Sequence, residues 1–432
     1  MDTASKVVAA AATRYRPPLI EMKKPSLLVI FLTVFLDLVG FGIVLPLLPV
    51  YSENFGAGGW LVGVIMASFS AMQFLFAPAW GRWSDRVGRR PVLLISNFGS
   101  AVSYAIFAVA SGMKGDTALW LLLASRVFAG ICGANIAVAQ AYIADITPPE
   151  DRSRRMGLIG MAFGLGFILG PALSGLSLAG FNVFGLKFNG FGATGPGWVA
   201  AAMCLGNFLL ALAILPESRQ PGGEHAPERP RLAQWTHTLA RPQVGLLVWL
   251  FFLATFAFTC FETTLGLLVS KQFNLDVHKP DDAKIIGYLF AYCGLIGAFV
   301  QGGAIGRAVK KLGERKLIAV SLVFTAASLA PLPFVRSWGA LLGVLALLAI
   351  GSSLARAPIF GLLSILTPAH EQGETIGVAQ SFGSLARIAG PIFAGSLFHL
   401  HPSWPYLACA GVSLAAGLLA WARLSTAPAR PQ

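Results

Sequence analysis

Long apolar runs, broken by short polar connections, fill most of this chain. An α-helix needs about 20 apolar residues to cross a roughly 30 Å hydrocarbon core. Twelve runs reach that length, at about 26–50, 60–80, 91–112, 117–144, 155–178, 197–215, 244–270, 284–305, 316–336, 338–366, 374–398 and 403–422. Strands of a membrane barrel alternate apolar and polar residues over about ten positions. The runs here are continuous instead, so they predict helices. The longest polar connection, 216–243, is rich in Pro, Gly, Glu and Arg and falls near the midpoint. It reads as a linker between a first bundle over 26–215 and a second over 244–422, with tails at 1–25 and 423–432. A short amphipathic helix around Leu232 to Leu239 is one option for this linker, and plain coil is the other.

The two halves carry the same punctuation. Thr147-Pro148, Gly157, Gly170-Pro171 and Gly175 return as Thr367-Pro368, Gly377, Gly390-Pro391 and Gly395, all shifted by one common interval. The segment from Gly81 to Arg90 is echoed from Gly306 to Arg315, with paired glycines at equal spacing and basic residues following. Fixed spacing over half a chain points to two structural copies, the usual trace of a secondary transporter built around a central site. The expected fold is an all-α integral membrane protein, twelve transmembrane helices in two pseudo-symmetric six-helix bundles.

Composition narrows the field. Of 432 residues, 56% are hydrophobic and only 12% charged, against roughly 25% charged in a soluble domain. The net charge of +13 would suit nucleic acid if it gathered on one polar face. The basic residues sit instead in the tails and the even-numbered connections, which predicts both termini on the cytoplasmic side. The 367–373 loop carries no Lys or Arg and adds nothing to that asymmetry. The expected partners are a lipid bilayer, a small organic substrate and protons, with a monomer and no nucleic acid. The first 25 residues lack the short apolar core of a signal peptide and read as a cytoplasmic tail. Cys132, Cys204, Cys260, Cys293 and Cys409 all fall inside apolar runs with no paired spacing, as small buried hydrophobes do.

Charges inside apolar runs are costly and mark function by default. Asp37, Arg126, Glu262 and Arg356 stand out, with Arg387 a fifth. At 1.5 Å per residue, Asp37 lies roughly 16 Å into the first run, near mid-membrane. A carboxylate there can take up and release a proton as its surroundings change between water and protein, while an Arg stays charged. The expectation is that Asp37, Arg126, Glu262 and Arg356 serve proton coupling, with Arg126 the fixed partner of Asp37. A structural ion pair is the plainer reading of the same two residues. Asn135, Gln140, Gln301, Phe261 and Arg387 are the candidates to line a substrate cavity. Helical spacing puts Arg126, Gly130, Gly133, Ala137 and Gln140 on one face, where small residues admit a neighbouring helix. Gly166, Gly170, Pro171 and Gly175 form a second small-residue face with a helix-bending proline, suited to a hinge or seal. In the loop Gly81, Asp85, Arg86, Gly88, Arg89 and Arg90, the glycines permit tight turns, Asp85 can face the positive end of a helix or pair with a base, and the arginines anchor the cytoplasmic side.

Enzyme readings fail on spacing. His370-Glu371 opens a zinc-protease-like pattern, but residue 374 is Glu rather than the second His. Asp281-Asp282 reads as a solvated pair in a loop. No Walker-type phosphate loop is present. The expectation is a transporter without metal or cofactor, driven by a proton gradient.

On these motifs the chain resembles the major facilitator superfamily, in its twelve-helix drug:proton antiporter branch, and within it the tetracycline exporters. The resemblance rests on loop 81–90, Arg126 through Gly130, Gly166 through Gly175, Asp37 with Gly42, Pro46 and Pro49, and Ala141 through Thr147. It implies alternating access at the interface of two bundles, a bacterial inner-membrane location, and pairing of Arg89 with Asp145 to latch the cytoplasmic side. Ala298 through Gln301 matches the exporters' eighth helix, but Gly297 stands where the resemblance leads one to expect a membrane-embedded His. That departure speaks against tetracycline itself. The leading expectation is proton-driven export of a small amphipathic compound, cations included. Proton symport or facilitated uptake of a sugar or other solute remains open, because the fold does not decide it. A receptor-like protein that transports nothing is the third reading.

Overall fold

The computed structural model describes residues 27–44, 47–56, 59–183, 186–219, 230–275 and 280–424. The expectations for the tails, for Pro46 and for the centre of the linker lie outside these residues. The membrane helices are α1 (Leu27–Val44), α2 (Gly59–Val87), α3 (Arg89–Ser111), α4 (Gly115–Asp145), α5 (Arg152–Ala179), α6 (Gly195–Ile214), α7 (Pro242–Phe273), α8 (Pro280–Phe299), α9 (Ile305–Leu329), α10 (Trp338–Leu366), α11 (Gln372–Leu400) and α12 (Trp404–Leu424). A 3₁₀ turn at Gly133–Asn135 interrupts α4. The expected runs are therefore helices with slightly shifted ends. Between α5 and α6 lies an addition to the all-α expectation, a small antiparallel hairpin of β1 (Gly180–Val183) and β2 (Leu186–Asn189).

Among the described residues, ten helical runs are long and apolar enough to cross a membrane. The difference from twelve has two physical causes. Residues of α8 and α9 merge into one apolar run, Ile285–Phe334. Within that run a π-turn at Val300–Ala304 and a break at Gly313 (φ 72°) divide the helices. The other cause is α11, where Gln380, Ser381, Ser384 and Arg387 dilute the apolar character. Most of the first half of α11 is buried against other helices, so it has little need of a lipid-facing surface.

Gly88 and Gly313 occupy equivalent places in the two sequence copies, and both adopt positive φ, 102° and 72°. An L side chain is strained there. Gly88 turns the chain sharply from α2 into α3, and Gly313 breaks α9 near its start. We call the end of the bundle that carries Gly81–Arg90 the latch end.

The apolar core divides by depth. One cluster runs through both halves at the latch end, joining Val34 and Tyr142 to Phe251, Phe360 and Phe382. Toward the far end it splits in two. One cluster belongs to α1–α6, with Val39, Tyr104 and Leu122. The other belongs to α7–α12, with Phe261, Leu345 and Tyr406. The halves are thus fused by packing at one end and hold separate cores at the other. The helix pairs α2–α11 and α5–α8 carry much of the contact between halves, and α5 also packs on α10.

Candidate functional site

Asp37 sits on α1 and turns inward to its own half. Ser100 of α3, Asn135 of α4 and Cys204 of α6 reach its carboxylate by hydrogen bonds. The Cys204 thiol is 3.9 Å from Oδ1. Asn135 also donates toward Asn97 Oδ1 at 3.4 Å. Gly40 keeps this pocket tight, since a Cβ there would meet Cys204 Sγ at 3.2 Å and Tyr104 at 3.3 Å.

Arg126 is not the partner expected for it. Among the described residues Asp37 and Arg126 form no ion pair. Tyr104 lies near both charges. The Arg126 guanidinium instead lies over two aromatic rings, 4.7 Å from Phe69 and 5.7 Å from Phe41, and only 2% of the residue is exposed. The 3.6-residue period puts Arg126 on the inner face of α4, but which aromatic rings close over it depends on α1 and α2. Burial under Phe41 and Phe69 took it from Asp37.

In the second half Glu262 and Arg387 feel each other's charge without a direct ion pair among the described residues. Arg387 reaches across the interface, donating to Gln73 Oε1 of α2 at 2.9 Å and to Ser384 Oγ at 3.0 Å. Arg356 of α10 crosses it too, with its guanidinium 4.5 Å from the Phe163 ring of α5 and 5.7 Å from Phe251 of α7. Gln140 accepts from Gln380 Nε2 at 2.7 Å, again between halves. Gln73, Gly133, Gln380 and Ser384 line a small cleft at this level. Gln301 lies in the π-turn against Gly160 of α5, its Oε1 buried without a hydrogen bond. Two candidates fall away from the interface. Phe261 is buried in the far-end core beside Phe258, because its face of α7 packs inside the half. Gly175 has open space around its Cα, since it lies beyond the point where α5 crosses α1.

The rest of that glycine face does make a close crossing. A Cβ on Gly42 would stand 2.5 Å from Gly166 O, and one on Gly166 would meet Leu38 O at 3.0 Å. A Cβ on Gly170 would overlap the backbone of Gly42. On another face of α5, Gly157 brings the chain against the π-turn at Gln301 and Gly164 brings it against α8.

At the latch end the residues of loop 81–90 converge. Asp85 and Arg89 are 1% and 0% exposed. Asp85 accepts from the backbone N–H of Gly373 at 3.1 Å and of Glu374 at 2.8 Å, the first turn of α11 in the other half. A carboxylate at a helix N-terminus meets unpaired N–H groups and the positive end of the dipole. Arg89 bonds Asp85 at 2.6 Å and Asp145 at 3.0 Å. Gly81 packs directly on the Gly373 backbone, and Arg90 donates to Leu212 O at 2.8 Å. Arg86 is partly exposed.

The linker joins this assembly, and of the two options left open around Leu232 to Leu239 it takes the helical one. Glu217 accepts from the N–H groups of Arg89 and Arg90 at 2.8 and 3.1 Å, capping α3. Ser218 donates to Asp145 at 3.0 Å. Further on, a helix at Arg231–Ala240 sets Trp235 edge-on to Phe74 of α2, 4.9 Å away, and 5.8 Å from Phe382 of α11. The acidic residue after Pro216 and the lone Trp in a polar linker were the available signals. In the second copy of the loop the dipole-facing acid is lost, since Lys310 stands at the position equivalent to Asp85. There Glu314 accepts from the Ser153 hydroxyl at 3.3 Å, at the start of α5.

All five cysteines are free thiols, four of them buried.

Comparison with known proteins agrees with this architecture. The profile of the Major Facilitator Superfamily matches residues 30–305 and 303–432. The class E tetracycline resistance protein of Escherichia coli is 34% identical over 376 residues, covering 84% of this chain and 86% of that protein. Multidrug resistance protein 2 of Bacillus subtilis is 27% identical, covering 92% and 95%. Among solved structures, that of the human organic anion transporter MFSD10 superposes with a TM-score of 0.78 at 26% identity, covering 94% of this chain and all of that one. The chain belongs to the major facilitator superfamily and is a multi-pass membrane transporter, not an enzyme.

Proposed function

We propose that this transporter exports a small amphipathic organic compound in exchange for protons, by alternating access between its two halves. The observation that carries the reading is Asp37, a carboxylate inside the first bundle that is held by neutral donors and has no cationic partner among the described residues. Without a fixed counter-charge it is free to change protonation as water reaches it from one side or the other. The latch end faces the cytoplasm in this reading, as the distribution of basic residues implies. Asp85 and Arg89 hold that side closed, and the membrane is a bacterial inner membrane. The names of the tetracycline and multidrug resistance relatives support export. Uptake of a sugar fits less well, because Gln140 and Gln380 bond each other and Asn135 is engaged with Asp37 and Asn97.

The test uses the full chain in proteoliposomes with a pH-sensitive dye. Adding a substrate found by a toxicant growth screen should move protons opposite to the compound. Asp37→Asn should abolish proton movement while leaving the protein folded. Undiminished coupling in that variant would remove Asp37 as the carrier.

A further inference from the structure

Arg356 is the feature of the interior that this scheme leaves unexplained. Its Nε and Nη2 atoms are buried and lack any hydrogen-bond partner. Among the described residues no carboxylate answers it, and the neighbouring charge that acts on it is that of Arg387, of like sign. Arg387 differs in having Gln73 and Ser384 as acceptors and Glu262 nearby. A cation whose donors are buried and empty is costly, and a partner of the opposite sign would offset that cost.

The geometry around Arg356 describes what would fit. Nε and Nη2 form one edge of the guanidinium, the side-on fork that holds both oxygens of a carboxylate or sulfonate in parallel hydrogen bonds. The rings of Phe163 and Phe251 flank the group at 4.5 and 5.7 Å, offering apolar walls to an aromatic body. Ser353 is one helical turn away on the same face. Opposite it stands Gly297, where an added Cβ would meet only Ser353 Oγ, at 3.0 Å. The absence of a side chain at 297 leaves space facing Ser353. Phe163 belongs to the first half and Arg356 to the second, so parting the halves uncovers the guanidinium. Within the spans and away from their ends, three guanidiniums, Arg126, Arg356 and Arg387, stand against two carboxylates, Asp37 and Glu262. That balance is wrong for a cationic cargo.

We propose that Arg356 anchors the substrate and that the substrate is an organic anion, an aromatic carboxylate or sulfonate whose charged end sits on the Nε–Nη2 fork. The proposal rests on the reading of this interface as the transport path, and it names the chemical class that the path accepts.

A matched pair of probes separates charge from shape, namely 1-naphthylacetate and 1-naphthylmethylammonium. Equilibrium dialysis against the purified full chain in detergent should show the anion bound at least tenfold tighter than the cation. Arg356→Gln should weaken anion binding at least tenfold, with a monodisperse elution profile showing that the variant is folded. Arg356→Lys should recover part of the loss, because it restores the charge but not the fork. Equal or tighter binding of the cation by the parent protein overturns the proposal without need of any variant. So does undiminished anion binding by folded Arg356→Gln. If neither probe binds while a screened compound still drives Asp37-dependent proton movement, the anion site falls and proton antiport stands. If the anion binds at Arg356 but Asp37→Asn leaves coupling unchanged, the reverse holds.

Discussion

A charged residue in a membrane helix announces itself in sequence, but its partner does not. Arg126 shows this most clearly, since its guanidinium rests on Phe69 and Phe41 rather than on Asp37. Cation–π contacts out of water contribute about 0.5–2 kcal/mol each. Phe69→Leu should therefore lower stability by about 1–2 kcal/mol, read as a lower thermal midpoint in detergent. Arg126→Lys should retain the charge yet lose the stacking, and slow transport more than it lowers that midpoint. An unchanged midpoint in Phe69→Leu would mean that the aromatic clasp contributes nothing.

Between elements, two close contacts stand out. The α1–α5 crossing runs backbone to backbone through Gly42, Gly166 and Gly170. Gly170→Val forces those backbones apart, and overpacking of this kind costs about 1–3 kcal/mol. The variant should show a lowered thermal midpoint, whereas Gly175→Ala, in open space, should match the parent. The second contact is Asp85 at the N-terminus of α11, held by Arg89. Breaking a buried pair by removing one partner costs about 3–5 kcal/mol. Here the loss should fall on the closed conformation, because only that state brings Asp85 to Gly373. Arg89→Ala should accordingly raise labelling of a cysteine placed at Gln140 by a water-soluble maleimide. Labelling as slow as in the parent with Arg89 intact would show that the latch does not hold this end shut.

Across the whole molecule, one core binds the halves at the latch end while two separate cores fill the far end. That division marks the structure as closed at the latch end, because apolar contact between the halves is continuous on that side only. The hydrogen bond between Gln140 and Gln380 lies on the fused side. Gln140→Cys with Gln380→Cys, in a background freed of the five native cysteines, should form a cross-link that stops transport. Reduction should restore it. Transport that continues through the cross-link would rule out opening at this end.

Hydrophobic run length and charge were enough to predict the twelve helices, because lipid compels every span to satisfy its own backbone and shed polar groups. The repeat of Thr147-Pro148 and Gly170-Pro171 at Thr367-Pro368 and Gly390-Pro391 was likewise legible, since a shared backbone path demands the same punctuation. The site was legible only as a set of residues. Asp37, Glu262, Arg356 and Arg387 stood out one by one because charge in lipid is costly wherever it sits. Tertiary structure alone decided that Asp37 looks to Ser100 and Cys204, that Phe261 turns into a core, and that Arg356 keeps a free fork under Phe163. It also turned Glu217 and Trp235 from a loose linker into part of the closure. Periodicity gives the face a residue occupies on its own helix; which other helix stands opposite is a property of the assembled bundle.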